Sequence, residues 1–204
     1  MARWEPDARG RLEKAAMELF QERGYVRTTV EEIAARAGLT ERTFFRYFAD
    51  KREVLFSGSK ELEKIMVGGI EGAPRGASPL DVVTAACAAA GAELQQRRAL
   101  DYARARYALV TKHPELHERE LIKLASLAAA VTKALRARGV AEPAAGLAAE
   151  AGMAVFKIGF ERWIKSKRPR DLAAHIRAAM DVLRAVAAEG TAPPARPKKR
   201  PKRA

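Results

Sequence analysis

Apolar residues along this chain recur at intervals of three and four, the spacing that lines one face of an α-helix. No segment sustains the period-two alternation of a half-buried strand. Leu12, Ala15, Ala16, Leu19 and Phe20 make the first run, with Pro6 and Asp7 as a start signal ahead of it and Gly24 as a stop behind it. Thr29 and Glu32 stand at the spacing of a capping box and open a short helix over 30–37, whose apolar side is Val30, Ile33, Ala34 and Ala37. Gly38 supplies a left-handed turn, and Thr40 caps a third short helix over 41–48. A longer helix is expected from Lys51 towards Ile70, then a glycine- and proline-rich loop over 68–79. Helices near 80–97, 99–112, 114–138, 144–166 and 170–188 follow. The pattern predicts an all-α fold in three parts: a three-helix domain over 1–52, a larger helical bundle over 53–190, and a tail over 191–204.

Two short helices joined through Gly38-Leu39-Thr40 form a helix-turn-helix pattern, and its chemistry suits the major groove of DNA. The second helix needs one apolar edge to pack on its support and one exposed edge to meet bases and phosphates. Phe44 and Phe48, four apart, supply the packed edge with Leu39. Arg42, Thr43, Phe45, Arg46 and Tyr47 lie off that line and offer guanidinium, hydroxyl and apolar contacts. Each also has a plainer reading: Arg42 and Arg46 as solvated charges, Phe45 as core, Thr29 as a helix cap and nothing more.

The run from Ala15 to Phe56, "AAMELFQERGYVRTTVEEIAARAGLTERTFFRYFADKREVLF", resembles the N-terminal domain of TetR-family regulators. The resemblance rests on Leu19-Phe20, Gly24-Tyr25, Thr28-Thr29, Ile33-Ala34, Ala37-Gly38, the aromatic cluster Phe44-Phe45-Arg46-Tyr47-Phe48, and Lys51. It implies a homodimeric regulator, usually a repressor, that binds an inverted-repeat operator in double-stranded DNA and is released by a small-molecule effector. By position it implies phosphate binding at Thr29, assisted by Arg27 and Thr28. Thr40, Arg42, Thr43 and Phe45 fall at base- or phosphate-facing positions, and Tyr47 and Lys51 at phosphate contacts. Phe45 departs from the common pattern, where tyrosine is frequent, so apolar base contact is the expectation there.

For the larger domain the resemblance implies dimerisation and an enclosed effector pocket, and its wording is similar to members described as having an acyl-CoA-like ligand-binding domain. Tyr102, Arg104, Arg106 and Tyr107 fall on a helix that commonly lines the pocket, and each could equally be a packing or surface residue. Within 144–166, Leu147, Ala151, Val155 and Ile158 make one apolar stripe, and Met153, Phe156, Phe160 and Trp163 another. A helix apolar on two sides must bury both. The interface with a second subunit is expected on Phe156, Phe160 and Trp163, together with Met180 and Leu183 from the last helix.

Charge adds less than its total suggests. The formal net charge is +13, but residues 1–52 carry eleven basic against nine acidic residues, 53–190 twenty-one against sixteen, and 191–204 six against none. The proline-rich basic tail is expected to be disordered. It supports a second reading, a non-specific architectural DNA binder driven by counterion release. One cysteine, Cys87, rules out an intramolecular disulfide. His113 and His117 are separated by Pro114, and no phosphate loop or nucleophile elbow is present. No enzyme, metal site or cofactor is expected. No apolar run approaches the roughly 20 residues of a membrane span, and a cytoplasmic location is expected.

Overall fold

The helices of the N-terminal part begin where side chains supply the hydrogen bonds that a helix terminus lacks. The computed structural model describes residues 7–167 and 171–189, and the expected tail over 191–204 lies outside them. Helix α1 (Ala8–Arg23) is capped by Asp7, whose carboxylate accepts from the Gly10 amide at 2.9 Å. Helix α2 (Val30–Arg36) has both halves of the capping box: the Glu32 amide donates to Thr29 Oγ1, and the Thr29 amide donates to Glu32 Oε2. Gly38 takes φ +66°, a conformation costly for any residue with a Cβ. Helix α3 (Glu41–Tyr47) then starts on the Thr40 side chain, which accepts from the Thr43 amide.

The helix expected from Lys51 does not form there. Asp50 accepts from the amides of Arg52 and Glu53, a single 3-10 turn covers Glu53–Phe56, and the Ser59 hydroxyl donates to the Phe56 carbonyl. Local side chains satisfy the backbone that a continuous helix would have bonded, so α4 starts only at Ser59 (Ser59–Glu71). Helices α5 (Pro79–Arg97), α6 (Leu100–Lys112), α7 (Pro114–Ala137), α8 (Ala144–Lys165) and α9 (Leu172–Glu189) complete the chain. There is no strand among the described residues, and none of their helices is long and apolar enough to cross a membrane.

Two apolar clusters hold these elements. The first joins α1, α2 and α3 around Leu12, Phe20, Ile33 and Phe44, and continues past the expected boundary at residue 52 through Val54, Leu55 and Phe56. It also takes Val110 and Leu116 from α6 and α7, so the larger domain packs against the base of the three-helix head. Truncating a fully buried aromatic such as Phe44 costs about 3–5 kcal/mol, enough to unfold most three-helix heads. The second cluster is built from α4, α5, α7, α8 and α9.

Helix α8 corrects the expected dimer face. Trp163, Phe156 and Met180 are at most 7% exposed and lie inside the second cluster of their own protomer; Phe160 and Leu183 are half-buried against it. Gly152 and Gly159 stand on this same side. A Cβ on Gly159 would lie 2.8 Å from the Ile176 backbone, and one on Gly152 would lie 2.1 Å from Val83. The small residues let α9 and α5 approach, and the large ones fill the space beside them. The other stripe is open at its two ends, although Ala151 is half-buried and Val155 buried between them. Leu147 is 68% exposed and Ile158 48%, with Val182 and Val186 similarly open on α9.

Candidate nucleic-acid interface and the adjoining cavity

Helix α3 divides its side chains between support and display. Phe44 and Phe48 are buried, with ring centroids 5.4 Å apart, and they anchor the helix to the head. Phe45 stacks edge-on against Phe44 at 5.5 Å yet remains 53% exposed, which is expensive for a phenyl ring facing only water. Arg42, Arg46 and Tyr47 are exposed beside it, and Thr43 is half-buried. The Thr40 and Thr43 hydroxyls lie 3.1 Å apart at the start of the helix. Arg46 folds over the Tyr47 ring and donates to its hydroxyl at 3.3 Å. Arg42 makes no hydrogen bond or ion pair among the described residues, so its whole donor fork is free for an acceptor outside the protomer.

Thr29 and Arg27 flank this surface from α2 and the loop before it, and both are exposed. Thr28 and Lys51 have other occupations. Thr28 is 1% exposed, and its hydroxyl donates inward to the Gly24 carbonyl at 2.9 Å. The Lys51 ammonium donates to the carbonyls of Tyr25 and Thr28, each at 2.9 Å, and of Val26 at 3.3 Å, over the face of the Tyr25 ring. Burial draws its pKa below the ordinary lysine value. The two residues implied as phosphate contacts thus hold the α1–α2 loop, and Lys51 has all three donors committed.

Where the head meets the body, cations of the larger domain grip the smaller one. Arg98, just after α5, forms an ion pair with Glu13 of α1, donates to Ser57 Oγ at 3.4 Å and lies 4.7 Å over the Tyr102 ring. Arg106 donates to the Leu55 carbonyl at 2.7 Å and to Glu120 at 2.9 Å, against the Phe56 ring. Arg119 and Lys123 of α7 hold the two oxygens of Glu53 at 2.5 and 3.1 Å. Burial raises the Glu53 pKa, and the bonds to Arg119 and Lys123 outweigh it, so the net shift is downward.

A cavity of about 290 Å³ opens beside these groups. Leu127, Phe156, Phe160 and Tyr102 give it an apolar wall, and Arg98, Arg106 and Lys123 a cationic one. Tyr102 and Arg106 are both among its lining residues. Tyr107 is not among the lining residues; its ring packs 6.2 Å from Phe160. Arg104 closes the end of α8 by donating to the carbonyls of Ile164 and Ser166. A larger polar groove of about 620 Å³, between α1, α4 and α5, shares Phe56, Leu94, Arg98 and Lys123 with the cavity. Elsewhere Cys87 is buried, its thiol pushed up to about 12 by burial, and His113 packs on Tyr25. No three His, Cys, Asp or Glu side chains among the described residues are grouped to hold a metal.

Sequence reasoning missed Arg98, Lys123, Glu13 and Glu53, because an ion pair between distant elements leaves no local pattern. It found both stripes of α8 but expected the wrong one to face outward, although Gly152 and Gly159 beside the bulky stripe were a signal: glycine on a helix face marks close packing.

Residues 12–57 match the family described as "Bacterial regulatory proteins, tetR family". The chain is 38% identical over 78 residues to the HTH-type transcriptional regulator TcmR of Streptomyces glaucescens, across 38% of this chain and 34% of that relative. The chain therefore matches only about a third of the curated relative's length. A crystal structure of Thermus thermophilus FadR, a TetR-family transcriptional repressor in complex with lauroyl-CoA, aligns over 96% of this chain and 100% of its own, with 26% identity and a TM-score of 0.54. SmeT, the repressor of a Stenotrophomonas maltophilia multidrug efflux pump, shares the fold at 21% identity over 87% of this chain and 89% of its own, with a TM-score of 0.55. The helix-turn-helix head, residues 12–57, thus matches the tetR family of bacterial regulatory proteins, and the helical body beneath it is similar in fold to the bodies of these TetR-family structures.

Proposed function

We propose that this protein is a homodimeric, cytoplasmic, sequence-reading DNA regulator whose operator affinity a small molecule lowers. The observation that carries the reading is α3, where Phe44 and Phe48 are buried while Arg42, Phe45 and Tyr47 stand exposed and Arg42 is unpaired among the described residues. Arg42 reads a guanine edge, Phe45 a thymine methyl, and Thr29, Thr40, Thr43, Arg27, Arg46 and Tyr47 hold phosphates.

Two heads are needed to read an inverted repeat with one face of the duplex. The open apolar stripes of α8 and α9, Leu147, Ile158, Val182 and Val186, supply the surface through which a second copy docks. Repression under the control of a small molecule is supported by the similarity to the Thermus repressor, which is in complex with lauroyl-CoA, and the cavity beneath the head is the effector site. A ligand that binds better when the heads are displaced shifts the dimer off DNA by its differential affinity.

Selection of fragments from a random duplex library at near-physiological salt tests the reading. Enrichment of an inverted repeat is the expected result. Binding without a motif, lost as salt rises and lost when residues 191–204 are deleted, would replace it with the architectural reading. Ile158→Glu with Val182→Glu should convert a dimer to a folded monomer in sedimentation.

A further inference from the structure

The cavity and the joint between head and body use the same cations. Of the four basic groups on the cavity wall, Lys60, Arg98, Arg106 and Lys123, Arg98 and Lys123 are each held by a carboxylate that belongs to the head, Glu13 and Glu53, whereas the carboxylate on Arg106 is Glu120 of the body. Arg98 is also shared between the cavity and the polar groove, at the place where the two join. Glu13 is only 6% exposed, so Arg98 and Arg9 rather than water satisfy its carboxylate.

We propose that the ligand of this cavity is a carboxylate on an apolar chain, and that it acts by taking Arg98 from Glu13. The structure already shows what the Arg98 guanidinium grips without a ligand: a carboxylate from α1. A ligand carboxylate reproduces the bond that Arg98 Nη2 donates to Glu13 Oε2, and a free carboxylate can also accept from a second nitrogen of the guanidinium fork. The chain of such a ligand lies against Leu127, Phe156 and Phe160, burying apolar surface that Glu13 cannot supply, and this tips the competition. Glu13 is not stranded by the exchange, because Arg9 of α1 stays 3.3 Å away. What is lost is the charged tie from α1 to the body, one of the contacts that set the position of the head; the packing of Val110 and Leu116 and the Glu53 pairs remain. Arg98 is a ligand-binding residue in this account and Glu13 a competing one.

The inference rests on the cavity's being the effector site. Its test uses the full-length protein without DNA, so its failure is distinct from failure to find an operator. Calorimetric titration with octanoate and with octan-1-ol separates the head group from the chain. Octanoate should bind at least about 10-fold tighter than the alcohol. Arg98→Gln should erase that preference while leaving the alcohol unaffected. Glu13→Gln, nearly the same shape without the charge, should tighten octanoate several-fold and leave the alcohol unchanged, a gain that a merely structural role would not give. Arg98→Lys, which keeps the charge and loses the fork, should retain part of the preference. Thermal melts establish that each variant is folded at the titration temperature. Equal binding of acid and alcohol to the wild type would overturn the ligand class. Unchanged or weakened octanoate binding by folded Glu13→Gln would overturn the competition.

Discussion

The outward face of α3 and the joint beneath the head both carry arginine, and they use it in opposite ways. At the joint, Arg98, Arg106 and Arg119 are each bonded to a carboxylate, and Arg106 also to a backbone carbonyl. On α3, Arg42 has no partner among the described residues, and Arg46 leans only on a neighbouring tyrosine. A paired guanidinium with little water around it is part of the scaffold, and removing it leaves a carboxylate stranded. An unpaired one in water adds little to folding and is available for recognition. The head's net charge of +2 over residues 1–52 could not reveal this, because the distinction lies in which charges are already satisfied.

The largest effect that could break this contrast lies at the joint. Arg106→Ala removes the bonds to the Leu55 carbonyl and Glu120, and it should lower the unfolding free energy by about 2–3 kcal/mol, discounted for partial exposure. Denaturant melts would show it; an unchanged midpoint would mean that the joint is not scaffold. Next, Arg42→Ala should leave the melt within about 0.5 kcal/mol. It should also weaken operator binding by about 1–3 kcal/mol and relax preference at one base pair, as a titration of wild-type and mutated operators would register.

Smaller effects sharpen the boundary between the two classes. Lys51→Met should cost about 1 kcal/mol of stability through its lost carbonyl bonds, while the dependence of DNA affinity on salt keeps its slope. Arg27→Ala should do the reverse, sparing the melt and reducing that slope by about one unit. The smallest effect is in pH. The Glu53 carboxylate titrates below its ordinary 4.5 in the folded protein, held down by Arg119 and Lys123 against the effect of burial. Its contribution is therefore complete above the unfolded value and fades as pH falls through the lower folded one. Glu53→Gln should be less stable than wild type at neutral pH and should lose less on acidification; parallel melting curves from neutral pH down to about 3 would contradict this.

Much of the head was legible from sequence. Asp7, the Thr29–Glu32 box, the Gly38 turn and the Thr40 cap all form where spacing predicted them, and the division of α3 into buried Phe44 and Phe48 against exposed Phe45 followed from a four-residue period. The body was less so. A bulky stripe and a slender one on α8 look alike to periodicity, and the slender one proved to be open at its two ends. Thr28 and Lys51 sit at the positions their resemblance implied, but their donors point to carbonyls of the same loop.

By itself the sequence determined the helices and caps of the head and the division of α3 into a buried and an exposed edge, because each depends on atoms within about four residues along the chain. The tertiary structure alone decided which face of α8 turns inward and which cations are free. Arg98 meets Glu13 across 85 positions and Arg119 meets Glu53 across 66. Pairs so far apart in sequence form only when folding brings their helices together, and they leave no periodic trace in the chain.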